Sequence, residues 1–298
     1  MCDPIRQGSA RWCGSVCRSV YRLIAARPSL SVNRPTVGAT VNPMSETTDG
    51  RSRQQRIADA MRAQIESGEL QPGDRLPGLP ALAESFGTSQ VTVRYAIDRL
   101  KQEGLVVSRQ GLGNFVRVKP AVRRYGISRY SRSVWAGDNP QPLLVAEGGR
   151  QGKAIGQTAV TEQTPAPAFV AARLPGVAEG ELVYVRRRIT TIDGVINQSV
   201  DSYFTIATGE RSPELVAAEG AGGHIARINA VSPVLDVQEE ITARMPTGPE
   251  SARLEIPAGT PVFEVFRTYH TEDGPLDVTR FVIRADMAVF DYRFPIPD

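Results

Sequence analysis

The sequence predicts an α+β fold in two modules, a small helical head closed by a β-hairpin and a larger C-terminal antiparallel sheet domain. Three observations predict it. Apolar residues recur at helical spacing between residues 54 and 103, strand-like runs dominate from residue 182 onward, and the charge changes sign along the chain. The formal net charge of +3 hides that division. Residues 51–124 carry 13 Lys or Arg against 7 Asp or Glu, whereas 125–298 carry 16 against 22. A basic module beside an acidic one suits a chain that places one end on a polyanion.

The first 43 residues hold six arginines, one acid and all three cysteines, Cys2, Cys13 and Cys17. Neither module can therefore contain a disulfide or a cysteine-based metal site, which fits a reducing, cytoplasmic setting. The expectation for residues 1–50 is a disordered extension produced by a mis-assigned start, with the natural start near Met44. A signal peptide is the competing reading, weakened because Arg18, Arg22 and Arg27 interrupt the apolar run. No stretch approaches the ~18 apolar residues of a membrane span, so no membrane partner is expected.

In the head, Ile57, Ala58, Met61 and Ile65 form one stripe of a helix over 54–67, stopped by Gly68. Residues 70–77, with Pro72, Gly73 and Pro77, read as an extended connector with a tight turn. A short helix over 79–86 begins beside Pro80, a first-turn proline, and ends at Gly87. Thr88 and Ser89 cap a third helix over 90–103, with Val93, Ala96, Ile97 and Leu100 facing inward and Gly104 closing it. Two helices joined by a short glycine turn make a helix-turn-helix. Strands at 105–108 and 114–118, with Gly111 and Gly113 in the turn, add a wing.

After the wing, 122–149 shows little periodicity and reads as linker, giving modules at 51–119 and 145–298 around a connection at 120–144. Strands follow at 182–189, 196–203, 236–244, 262–269 and 276–283, separated by turn signals such as Asp193-Gly194 and Asp273-Gly274-Pro275, with a helix at 212–219.

The head resembles the GntR family of bacterial regulators over 54–118. The matching residues are Leu70, Pro72-Gly73, Leu76-Pro77, Leu82-Ala83, Phe86-Gly87, Ser89, Thr92-Val93-Arg94, Ala96, Leu100, Gly104-Leu105 and Gly111-x-Gly113-x-Phe115-Val116. The resemblance implies a winged helix-turn-helix whose third helix enters the major groove of operator DNA, with Ser89, Gln90, Thr92 and Arg94 in the entering turn and Gln110 and Gly111 at the wing tip. A Gln amide matches adenine and a guanidinium matches guanine or a phosphate. Ser89 also fits a simple helix cap. The chain departs from the family at Gly78-Leu79-Pro80, where many members carry Ser-Glu-Arg, and at Gln90, where Arg is usual. Two guanine-reading arginines are thus missing, and a shallower salt dependence is expected.

The C-terminal module resembles the UTRA sensor domain of the HutC branch, a fold similar to chorismate lyase, over about 145–292. The evidence is Arg186-Arg187-Arg188 before Asp193-Gly194, Ser202-Tyr203-Phe204, Glu239-Glu240-Ile241-Thr242-Ala243, and Leu254-x-Ile256-Pro257-x-Gly259-Thr260-Pro261-Val262 leading to Arg267. The resemblance implies a homodimer and a small-molecule effector site, carried onto Arg188, Glu240 and Arg267, with Tyr269 and Thr279 added by strand position. All of these also fit ion pairs or sheet rungs. Thr190 stands where a second strand arginine is usual, which speaks against a sugar-phosphate effector. The leading reading is a repressor released from its operator by a small molecule. The alternatives are an effector-blind DNA-binding regulator of a mobile element, with a degenerate site, and a chorismate-lyase-like enzyme. His224 and His270 are the only histidines, and no metal spacing, phosphate-cradling loop or nucleophile-base pair is visible, so neither catalysis nor a cofactor is expected.

Overall fold

In the computed structural model, residues 50–120, 122–136, 142–218 and 223–296 are described, and all of them fall in one compact unit. The expectations about residues 1–49 lie outside these. No helix among the described residues is long and apolar enough to cross a membrane.

The head forms as its periodicity dictates. Helix α1 (Arg53–Ser67) starts at a capping box, in which the Ser52 side chain accepts from the Gln55 amide while Gln55 reaches back to the Ser52 amide, and it ends at Gly68 with φ +80°. Helices α2 (Leu79–Ser85) and α3 (Gln90–Gln102) follow, then strands β1 (Val106–Arg109) and β2 (Gly113–Val116), paired antiparallel from Val106 opposite Val116 to Arg109 opposite Gly113. The connector is pinned to the wing, since the Gly73 amide donates to the Val116 carbonyl and the Leu76 amide to that of Asn114, each at 2.9 Å. One core, including Ile57, Met61, Leu70, Leu82, Val93, Ile97 and Leu100, joins all three helices to the wing.

The stretch expected to be linker is structured. It contains β3 (Arg123–Gly126), a 3-10 turn (Ile127–Tyr130), α4 (Arg132–Trp135) and α5 (Leu143–Arg150). Each piece is too short to establish a period, and what holds it is burial of single aromatics. Tyr125 and Trp135 are 4% and 3% exposed, and the Trp135 indole donates to the Tyr130 carbonyl at 2.9 Å.

Next come β4 (Ile155–Pro165), α6 (Ala168–Ala171), β5 (Leu182–Ile192), β6 (Val195–Thr205), α7 (Ile206–Arg211), α8 (Pro213–Val216), α9 (His224–Val231), β7 (Val234–Arg244), α10 (Gly248–Arg253), β8 (Val262–Thr271), β9 (Gly274–Pro275), β10 (Val278–Arg284), a 3-10 turn (Ala285–Met287) and β11 (Ala288–Asp291). The antiparallel sheet runs β4-β5-β6-β10-β8-β7, with β9 beside β8, and β11 pairs parallel with β3. Strand β4 escaped the sequence reading because, at an edge, it carries mostly polar residues. Within the helix expected at 212–219 the described residues form the shorter α8, which Pro213 opens as its first residue, and α7 precedes it. Asp193 and Gly194 both have positive φ, as a two-residue β5-β6 hairpin requires.

Strand alternation gives the sheet two unlike faces. One carries Phe204 and Tyr269 against α4, α8 and α9. On the other, Val183, Val185 and Tyr203 pack against Val170 and Leu174.

Candidate functional site

Helix α3 presents its first turn outward. Ser89 caps it, accepting from the Thr92 amide at 3.2 Å, and the two hydroxyls lie 2.9 Å apart. Ser89, Gln90 and Arg94 are exposed, and the last two make no hydrogen bond among the described residues. Arg53 fixes the turn before α3 by donating to the Gly87 carbonyl at 2.5 Å. At the wing tip Gln110 and Gly111 are exposed, Gly111 with φ +72°, and the Arg109 guanidinium stacks on Phe115 at 4.7 Å. Two exposed apolar side chains on α3, Val91 and Tyr95, were not singled out in the sequence, because inward periodicity was the signal followed there.

In the sensor domain the structure brings four of the five expected residues to one sheet face. Cross-strand pairing aligns Arg186 of β5 with Ser202 of β6, Thr279 of β10, Arg267 of β8 and Glu239 of β7. Arg188 and Tyr269 flank that row on the same face. Glu240 does not join them. As the strand neighbour of Glu239 it points to the opposite face, exposed, in a two-point ion pair with Arg173 at 2.8 Å. The acid on the site's face is Glu239, which accepts from Arg129 at 2.5 Å, from Tyr292 at 2.6 Å and from the Tyr130 hydroxyl.

Two hydrogen-bond chains converge on one carboxylate that the sequence reading missed, Asp277, which is fully buried. In the first, Arg188 donates to Ser202 at 2.6 Å, Ser202 meets Thr279 at 2.7 Å, and Thr279 donates to Asp277 Oδ2 at 2.6 Å. In the second, Arg186 donates to His224 Nδ1, and His224 Nε2 lies 2.7 Å from the same Oδ2. An arginine can only donate, so Nδ1 accepts and Nε2 carries the proton. Both ring nitrogens are occupied, which leaves His224 no free position for acid-base work.

The electrostatics are unbalanced toward positive. Arg129, Arg186, Arg188 and Arg267 face two carboxylates, Glu239 and Asp277. Burial pushes Arg186 down to about 10, helped by the neighbouring Arg227 and Arg267 charges. Arg188 is lowered well below its ordinary value, by burial first and then by Arg186 and Arg267. Burial also lowers His224 to about 3, against the pull of Asp277. Although burial alone would raise Asp277, its carboxyl is lowered by His224, Thr279 and Arg267. Arg267 makes no hydrogen bond among the described residues and is held by the Tyr269 and Phe281 rings at 4.7 and 4.6 Å. The Nε atoms of Arg186, Arg188 and Arg267, the Tyr269 hydroxyl and Asp277 Oδ1 are buried without partners. Unpaired buried groups of this kind are costly. Thr190 is buried on this strand, on which Arg186 also stands beside Arg188.

Comparison with known proteins agrees with both modules. The profile of bacterial regulatory proteins of the gntR family matches residues 53–116, and that of the UTRA domain matches residues 150–288. An HTH-type transcriptional regulator of Streptomyces coelicolor is 32% identical over 252 residues, covering 81% of this chain and 92% of that protein. The "Probable transcriptional regulator PhnF" of Escherichia coli is 30% identical, covering 80% of this chain and 94% of its own length. The crystal structure of a GntR-family transcriptional regulator superposes with TM-score 0.57 at 27% identity, over 83% of this chain and 99% of that one. The chain belongs to the GntR family, as a DNA-binding transcription regulator with a winged helix-turn-helix head and a UTRA domain.

Proposed function

We propose that the chain is a cytoplasmic, homodimeric repressor of the HutC branch that leaves its operator when a small anion binds the sensor sheet. Ser89, Gln90, Thr92 and Arg94 contact DNA from α3, and Gln110 and Gly111 contact it from the wing tip. Two heads related by a two-fold axis match the symmetry of a paired half-site. Among the similar proteins, one from Bacillus subtilis is named as the transcriptional repressor NagR, at 24% identity over 238 residues, which supports repression.

The observation that carries the effector reading is the guanidinium excess, in which Arg186 and Arg188 share one terminal acceptor, Asp277, while Arg267 has none. An anion would supply the missing negative charge and accept from the unpartnered donors. Arg186, Arg188, Arg267, Ser202, Thr279 and Tyr269 form the binding set, and Glu240 is not part of it.

A gel-shift experiment tests both halves. Operator DNA selected from a random pool binds the wild type, and Arg94→Ala weakens binding at least about tenfold with the fold intact. Inorganic phosphate, glycerol 3-phosphate and succinate are then titrated against the complex, with glucose as the neutral control. Release by an anion and not by glucose is the expected result. Binding indifferent to every anion would favour the effector-blind reading.

A further inference from the structure

Val91 occupies a position on α3 that the groove-binding reading leaves without a role. The core side of the helix is unambiguous, because Val93, Ala96, Ile97 and Leu100 are each at most 1% exposed. At 100° per residue, the ridge directly opposite comprises Val91, Tyr95, Asp98 and Gln102. Val91 is 61% exposed and Tyr95, one turn on, is 60% exposed. A single exposed valine is ordinary, but two large apolar side chains stacked one turn apart on the outermost ridge of a DNA-entering helix are not.

The chemistry of the first turn narrows the possibilities. Ser89 and Thr92 hydrogen-bond to each other, and the exposed side chains that follow the cap are Gln90, Val91 and Arg94. Valine is β-branched and held to one rotamer in a helix, with two methyl groups and neither donor nor acceptor. It can bond no phosphate and no polar base edge. The one apolar feature that a base pair displays in the major groove is the 5-methyl group of thymine. Resting on the assignment of α3 to that groove, we infer that Val91 is a specificity-determining residue that packs on a thymine methyl. Next to Gln90, whose amide suits adenine, this makes the Gln90-Val91 pair a reader of A·T pairs, where an arginine at position 90 would have selected guanine.

The test uses the full chain and its half-site selected from a random duplex pool at fixed salt. Each thymine is replaced in turn by uracil, which removes only the methyl group. Wild-type affinity falls about fourfold at one thymine per half-site, the scale of one lost methyl contact. Val91→Ala binds the thymine operator as weakly as the wild type binds that uracil operator, and it shows no further loss on the replacement. The exposed site makes this variant safe for folding, which an unchanged Tm verifies. A half-site without a methyl-sensitive thymine, or a sensitivity that persists in Val91→Ala, overturns the inference while leaving the groove assignment standing. A pool that enriches no sequence overturns both.

Discussion

Arg117, one residue past the wing, donates to Asp286 in the 3-10 turn before β11, and this ion pair ties the DNA-reading head to the sensor sheet. Asp286 also accepts from Arg284 at 2.9 and 3.2 Å, so one carboxylate serves two covered guanidinium groups. The two sides of the pair are therefore unequal. Arg117→Ala should cost about 2 kcal/mol, one charged hydrogen bond, because Asp286 keeps Arg284. Asp286→Ala should cost about 3–5 kcal/mol, since it strands two buried cations. Urea denaturation of both variants checks the order, and equal losses would contradict it.

Gly259 makes the second contact between the modules. Its φ is +71°, and a Cβ there would lie 1.9 Å from the Gln102 carbonyl oxygen at the end of α3 and 2.8 Å from the Gly104 nitrogen. The clash is with backbone on both counts, so no side chain can move to relieve it. Gly259→Ala should push the head off the sheet. The expected calorimetric outcome is two separate unfolding transitions where the wild type shows one, and a single unshifted transition would refute the contact.

Arg188 stands against the charges of Arg186 and Arg267. Arg188→Met keeps the apolar stem and removes that repulsion along with the burial cost of the charge. In the absence of an anion the variant should melt about 2–4 °C higher, the shift expected for roughly 1 kcal/mol in a domain of this size. On the effector reading proposed above, it should also lose the stabilisation that the anion gives the wild type. A variant that melts lower would show that the arginine is structural.

His224 sets a pH dependence. Folded, it takes a proton only near pH 3, whereas its ordinary value is 6.5. Between these values the unfolded chain carries the extra proton, so stability rises with pH across the window and falls as pH drops from 6.5 toward 3. The Glu250 carboxyl, lowered to about 2 chiefly by its Arg244 hydrogen bond, loses its contribution only below its ordinary 4.5. The slope between pH 5 and 6.5 is thus the part to assign to His224. His224→Gln should flatten it in urea midpoints taken every half unit, and an unchanged slope would move its origin elsewhere.

The boundary between what could and could not be read in the sequence follows from the range of the interactions. Helices α1 to α3 and the wing were legible almost residue by residue, because the stripe from Ile57 to Leu100, the caps and the turn glycines are local signals. So were β5, β6, β7, β8 and β10, whose apolar runs and turns are local as well. The sequence alone also determined the charge division, and with it a basic module suited to DNA beside an acidic one.

Only the tertiary structure decided which of two adjacent acids, Glu239 or Glu240, faces the arginines, since a one-residue step along a strand reverses the face. It alone brought Asp277 and His224 beneath Arg186 and Arg188, residues 36 to 91 positions apart that share no sequence pattern. It also ordered the segment from Arg123 to Trp135, where isolated aromatics find burial only once the sheet exists to receive them. Long-range convergence of this kind leaves no periodic trace, because each residue is placed by a different strand.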